Sequence, residues 1–207
     1  MGEVLARAAV LAAGGSCDLF EFYSCFPCVP KMALRAMPQA RGRPPTVAGG
    51  LTFFGAPVNN YMTHAVAAMV RALRTGGQVG LLYGQGGHVT KHHALVLANR
   101  APTHSLATED FSVQAAADAR RAAPPPVVAD YCGPATIESH TILYARDGEP
   151  HHGTVIARTP KGARIVARVP AADTDTLAFL TDIARSPVGS AGSARQGSNG
   201  LLEWSFS

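Results

Sequence analysis

The sequence predicts an α/β domain over its first hundred residues and a small antiparallel β-barrel after it. Three observations carry this: helix and strand periods alternate as far as residue 98, a proline-rich spacer follows, and beyond it the apolar period falls to two. We expect the α/β part at 1–100, a linker at 101–126, the barrel at 127–188 and a flexible tail at 189–207. At 207 residues the chain suffices for one large core or two modest ones.

Residues 5–13, rich in Ala and Leu, form the first expected helix, stopped by Gly14-Gly15. The aromatic run 17–23 (CDLFEFY) suits a buried strand. Pro27 and Pro30 open a helix over 29–37, because proline is tolerated in a first turn. Residues 38–50 have the composition of a surface loop. The clearest helix spans 58–74, where Val58, Met62, Ala65, Val66, Met69, Val70 and Leu73 build one apolar stripe. Asn59 or Asn60 is placed to cap it, and Gly76-Gly77 to end it. Two strands follow, 79–83 and 89–98, with Gly84-Gln85-Gly86-Gly87 as the turn between them.

The signal then fades. Residues 114–123 suit an exposed helix, and Pro124-Pro125-Pro126 a stiff spacer. Strand-like runs occupy 127–131, 135–144, 154–159 and 164–169, with Asp147-Gly148 and Pro160-Lys161-Gly162 in two of the gaps. Residues 173–182 suit a short helix. The segment 189–200 is Gly/Ser-rich, while 201–206 has the pattern of a returning strand.

The net charge of +4 is uneven: residues 1–100 hold nine Lys/Arg against three Asp/Glu, and 101–207 nine against eleven. A basic first half suits a phosphate-bearing ligand such as coenzyme A, or simply a solvated surface, since 15 of the 18 basic residues are Arg. Cys17, Cys25 and Cys28 cluster while Cys132 is remote, a poor disulfide framework that points to reduced thiols and a cytoplasmic protein. No run reaches the roughly 18 apolar residues of a membrane helix, and the first fifteen residues make a poor export signal.

Several other patterns are weak. Cys25-x-x-Cys28 has no second pair to complete a zinc site. His88 and His92 are expected on one face of the later strand with His93 opposed, without a carboxylate nearby; His151 and His152 are likewise isolated, so no metal site is assigned. Ser24, with His64 or His92 as a base, lacks the elbow motif of a hydrolase. Tyr131, Tyr144, Arg146, Arg158, Arg164 and Arg168 would serve nucleic-acid binding through the barrel, but its net acidity and few aromatics disfavour that alternative.

Three stretches are long and unusual: 18–27 (DLFEFYSCFP), 49–65 (GGLTFFGAPVNNYMTHA) and 80–97 (GLLYGQGGHVTKHHALVL). They closely resemble the C-terminal half of acetyl-CoA acetyltransferase-like proteins of the sterol-carrier-type thiolase branch, in the group called thiolase-like protein type 1. Residues 127–182, including DYCGPATIESHTILYARDGEP, look like the additional C-terminal domain of that group. The resemblance covers roughly residues 1–185 and implies half of a thiolase-type α/β domain, followed by the barrel.

It also implies a chemistry that can be checked. Thiolases condense acyl-CoA thioesters using a nucleophilic cysteine, an acid/base cysteine and an oxyanion hole. The nucleophile belongs to the N-terminal half, which the resemblance does not reach. The family's G-H-P aligns with Gly55-Ala56-Pro57, its C-x-G with Gly84-Gln85-Gly86, and its oxyanion Asn or His with Tyr23. The imidazole and the thiol are thus replaced, and such groups act as a unit. The expectation is no catalytic residue and no cofactor. Possible acyl-CoA contacts are Asn59, Asn60 and His64 at a helix start, with Gly84, Gly86 and Gly87 allowing close approach. One half alone would expose a sheet edge and a helix face, so we expect self-association or a chain supplying the N-terminal half.

Overall fold

The computed structural model describes residues 1–12, 16–102 and 110–206. The expected Gly14-Gly15 stop lies outside them. Two compact units divide the chain, Met1–Arg121 and Ala122–Ser207.

The first unit is built on a three-stranded sheet ordered β1-β2-β3. β1 (Leu19–Phe22) runs parallel to β2 (Val79–Gly86), and β2 pairs antiparallel with β3 (Lys91–Ala98). Alternation along β2 sends Leu81 and Tyr83 to one face and Leu82 to the other. On the first face lie α1 (Gly2–Leu11) and α2 (Cys28–Ala36), contributing Leu5, Ala8, Val29 and Ala33 to a core with Phe20 and Phe22. On the second lies α4 (Tyr61–Thr75), whose Tyr61, Ala65, Met69 and Leu73 pack with Leu82. Helix α4 sits tightly on β2 because residue 80 is glycine: a Cβ there would lie 2.2 Å from Met69 Sδ. Two short helices complete the unit, α3 (Leu51–Phe54) and α5 (Gln114–Ala119).

The glycine turn expected at 84–87 is a correction. Gly84, Gln85 and Gly86 continue β2, held opposite His93, His92 and Lys91, and the reversal falls at Gly87–Thr90. Glycine lowers strand propensity, but a full row of ladder hydrogen bonds overrides it here. His88 therefore sits in the turn and shares no strand face with His92.

The outer edge of β1 is not bare. Phe22 N–H donates to Pro45 O at 2.9 Å, and Arg43 Nη1 reaches the carbonyls of Cys17 and Asp18 at 3.1 and 3.0 Å. A loop thus takes the place of a neighbouring strand along this edge.

The second unit is a closed five-stranded barrel ordered β4-β5-β6-β8-β7. Its strands are β4 (Gly133–Tyr144), β5 (Pro150–Arg158), β6 (Arg164–Pro170), β7 (Ala191–Gln196) and β8 (Leu202–Ser205). Between β6 and β7 lies α6 (Thr174–Thr181), whose N-cap Asp173 accepts from Thr176 N–H at 3.1 Å. All pairs are antiparallel except β6 with β8. This is a Greek-key barrel of the oligonucleotide-binding type. Its core is Ile137, Val155, Ile165, Val169, Leu177, Leu180 and a fully buried Trp204.

Two expectations fail in this unit. Within the expected flexible tail at 189–207, the described residues up to 206 are ordered by β7 and β8, which close the barrel and bury Ala194, Leu202 and Trp204. The run 127–131 is no strand: only Val127 bridges to Arg164. Among the described residues no helix is long and apolar enough to cross a membrane.

Candidate functional site

The parallel pairing of β1 with β2 brings their C-terminal ends together. Tyr23 N–H donates to Tyr83 O at 2.9 Å, so Tyr23, Ser24 and Cys25 leave β1 beside Gly84 and Gln85 of β2. The Tyr23 ring meets Tyr61 edge-on at 5.6 Å, at the start of α4. Tyr61 in turn contacts Phe54 at 6.0 Å, and Phe54 stacks on His64 at 4.9 Å. Ala56 lies between Phe54 and Tyr61 in the turn entering α4. Of the three positions aligned with thiolase catalytic groups, Tyr23 and Gly84 thus flank the N-terminal end of α4, and Ala56 precedes it in the entering turn.

The turn carrying Ala56 is strained. Ala56 and Val58 have φ of 54° and 51°, the left-handed region that side chains with a Cβ avoid and β-branched ones avoid most. Such strain persists where surrounding contacts over-determine it, which is commonest at functional sites.

Beneath the cluster lies Glu21, fully buried in β1. Its Oε2 accepts from Thr46 Oγ1 at 2.6 Å and from the N–H groups of Val47 and Ala48 at 2.8 and 2.9 Å, while Oε1 accepts from the Tyr61 hydroxyl. A buried carboxylate is tolerated only when its lone pairs are used in this way. Burial first, and the Glu21 contact next, push the Tyr61 phenol well above its ordinary range. A second staple joins Leu51 N–H to Ser24 Oγ at 3.0 Å. Segment 46–51 is therefore fixed to β1 at two points, and it leads directly into α3 and the Ala56 turn.

Cys25 is the one thiol in the cluster. Gln85 Nε2 donates to its sulfur at 2.7 Å, while Gln85 Oε1 is buried without a partner. Burial raises the phenol of Tyr23, with the nearby Cys25 adding to the effect, so this side chain stays protonated near neutrality. Tyr83, on the other sheet face, is pushed up to about 12 by burial and by Cys25. Its hydroxyl lies 2.8 Å from His92 Nδ1. Burial holds the His92 imidazolium below its usual range, so a neutral His92 accepts and Tyr83 donates.

Sequence reasoning named Asn59, Asn60, His64, Gly84, Gly86 and Gly87. The structure gathers Asn60, His64 and Gly84 at the start of α4. Asn60 Nδ2 is 3.2 Å from His64 Nε2, and a Cβ on Gly84 would make ordinary contact with Met62 at 3.6 Å. Asn60 holds the N-cap position of α4 without a side-chain cap bond, a correction to its expected capping role: the amide is engaged by His64 instead. Asn59 is exposed. Gly86 and Gly87 lie towards the hairpin, away from α4, with Gly86 opposite Lys91. Glu21 and Cys25 were not singled out as site residues. A lone acid in the run LFEF was the signal available for Glu21.

All four cysteines are free, Cys25 half-buried and Cys28 exposed. Among the described residues no three His, Cys, Asp or Glu side chains gather as metal ligands.

A family model, the thiolase-like protein type 1 additional C-terminal domain, matches residues 112–198. Among solved structures, the chain is similar to a monomeric SCP2-thiolase-like protein type 1 from Mycobacterium smegmatis, with 27% identity and a TM-score of 0.73. That similarity covers 91% of this chain but 41% of the other, so the chain spans about two-fifths of the length of its solved relative. No curated protein matches. On the barrel match and the structural likeness together, this chain is similar to the thiolase-like proteins of type 1.

Proposed function

We propose that this chain is a thiolase-like protein without thiolase activity of its own, acting in lipid metabolism in the cytoplasm by holding an acyl-CoA-type ligand or docking a partner chain. The observation that carries the reading is the chemistry at the strand ends. Of the three aligned positions around α4, Ala56 and Gly84 carry no group that moves protons, and Tyr23 carries a phenol that burial keeps protonated. What remains is a shaped end of a sheet. Gly84 presents backbone without a Cβ beside Met62, and the N-terminal amides of α4 favour an anion such as a CoA phosphate.

The docking part draws support from exposed apolar side chains of the first unit. Phe53 is 76%, Val58 83% and Leu95 51% exposed. An N-terminal thiolase half, or a second copy of this chain, is the occupant that fits.

Calorimetric titration with acetyl-CoA tests the ligand reading. Saturable binding that Gly84→Phe abolishes is the expected result; binding unaffected by that side chain contradicts the site.

A second reading is acyl transfer that appears only with a chain supplying the N-terminal half. Cys25 favours it, as a thiol two residues beyond the aligned Tyr23 and hydrogen-bonded to Gln85. Thiolysis that appears on mixing with such a chain and vanishes in Cys25→Ala would select it over the first.

A further inference from the structure

On the opposite face of the sheet from α4, the first unit holds a cavity of about 930 Å³ between α1, β3 and the segment containing α5. It lies apart from the side-chain cluster at the strand ends, and the proposed function does not use it. Its volume is at the upper end of the range for small-molecule sites. Val4 and Leu11 of α1, Val96 of β3 and Val113 give it apolar walls, and Phe111 stands at its margin.

The charges are unevenly placed. Arg7, Lys91 and Arg121 line the cavity against Glu3 and Asp118. Glu3 is already neutralised by an ion pair with Arg120, and Asp118 accepts from Gln114 Nε2 at 2.9 Å. Lys91 and Arg121 have no ion pair among the described residues. His92 lines the floor as a neutral imidazole whose Nδ1 is held by the buried Tyr83 hydroxyl. The field inside is therefore set by the cations.

We propose that this cavity binds an amphipathic anion: a carboxylate on an aliphatic chain, with its head at Lys91 and Arg121 and its chain along the α1–β3 wall. An aliphatic body matches the valine and leucine lining, and a compact anionic head matches two cations that have no ion pair among the described residues. A cationic head of the same chain length would meet like charge.

Titrating the whole chain with sodium decanoate, followed by amide chemical shifts, tests this. The expected result is saturable binding that shifts resonances of 89–96 and 113–121, is at least tenfold weaker in Lys91→Glu/Arg121→Glu, and is not matched by decyltrimethylammonium. Both substituted residues are exposed, so the variant retains its fold, which its unshifted β1 and β2 amides would verify. Equal binding of the cationic surfactant, an unweakened double variant, shifts confined to other regions, or no saturable binding of decanoate would each overturn the proposal.

Discussion

The two units solve the same problem, burying a sheet, in opposite ways. The barrel closes on itself, so every strand has two neighbours and one core gathers around Trp204. The three-stranded sheet cannot close. It splits its core between two faces, covers the β1 edge with loop 43–48 and stations a buried carboxylate to hold that loop. Closure makes a unit self-sufficient, whereas an open sheet must recruit loops, buried polar groups and partners. Chemistry-bearing residues accordingly gather in the open unit.

The largest effect should come from the closed unit. Trp204→Ala removes a fully buried side chain from the barrel core, and large aromatic truncations of this kind cost about 3–5 kcal/mol. Denaturant unfolding should show the barrel transition lost or sharply weakened. A change below about 1 kcal/mol would mean the barrel does not depend on that core.

In the open unit Glu21→Gln should cost about 2–3 kcal/mol, because an amide cannot accept from four donors and brings a donor of its own. Hydrogen exchange should rise at the Val47 and Ala48 amides while the β4–β5 ladder stays protected. Tyr61→Phe removes one of those four donors and should cost about 1 kcal/mol.

A smaller effect concerns pH. His92 has a folded pKa below its unfolded value, so the unfolded chain binds the extra proton first as pH falls. Its contribution is present above the unfolded pKa, near 6.5, and is lost on acidification below that value. The thermal midpoint of the first unit should drop between pH 7 and 5, less so in His92→Gln. His152 in the barrel is shifted in the same direction, so that variant isolates the open unit.

The smallest effect is expected for Gly84→Cys. The new Cβ makes only ordinary contact with Met62, and stability should change by less than about 1 kcal/mol. The restored thiol should give no thiolysis, since Ala56 still lacks an imidazole.

Elements with strong periodicity were legible in the sequence. The stripe expected over 58–74 is α4 from Tyr61 onward, with Val58 instead exposed in the turn before it, and the alternating runs after residue 133 are barrel strands. What misled were local glycine cues. Gly84 and Gly86 read as a turn, but pairing with β3 outweighs their weak strand preference. The Gly/Ser-rich end read as a tail, although Leu202 and Trp204 alternate inward with Glu203 and Ser205. That period was visible over 201–206, and only closure of the barrel shows that 191–196 must pair with it. In the site, the aligned motifs located Tyr23, Ala56 and Gly84. The role of Glu21 was hidden because its partners lie 25 to 40 residues away in sequence.

At the strand ends beside α4, Ala56 and Gly84 stand where a thiolase would carry its proton-transfer groups. The consequence, loss of thiolysis, is tested most directly by incubating the purified chain with acetoacetyl-CoA and CoA and measuring acetyl-CoA release. The account predicts no turnover above the uncatalysed rate. Turnover by the chain alone, abolished by Cys25→Ala, would contradict it.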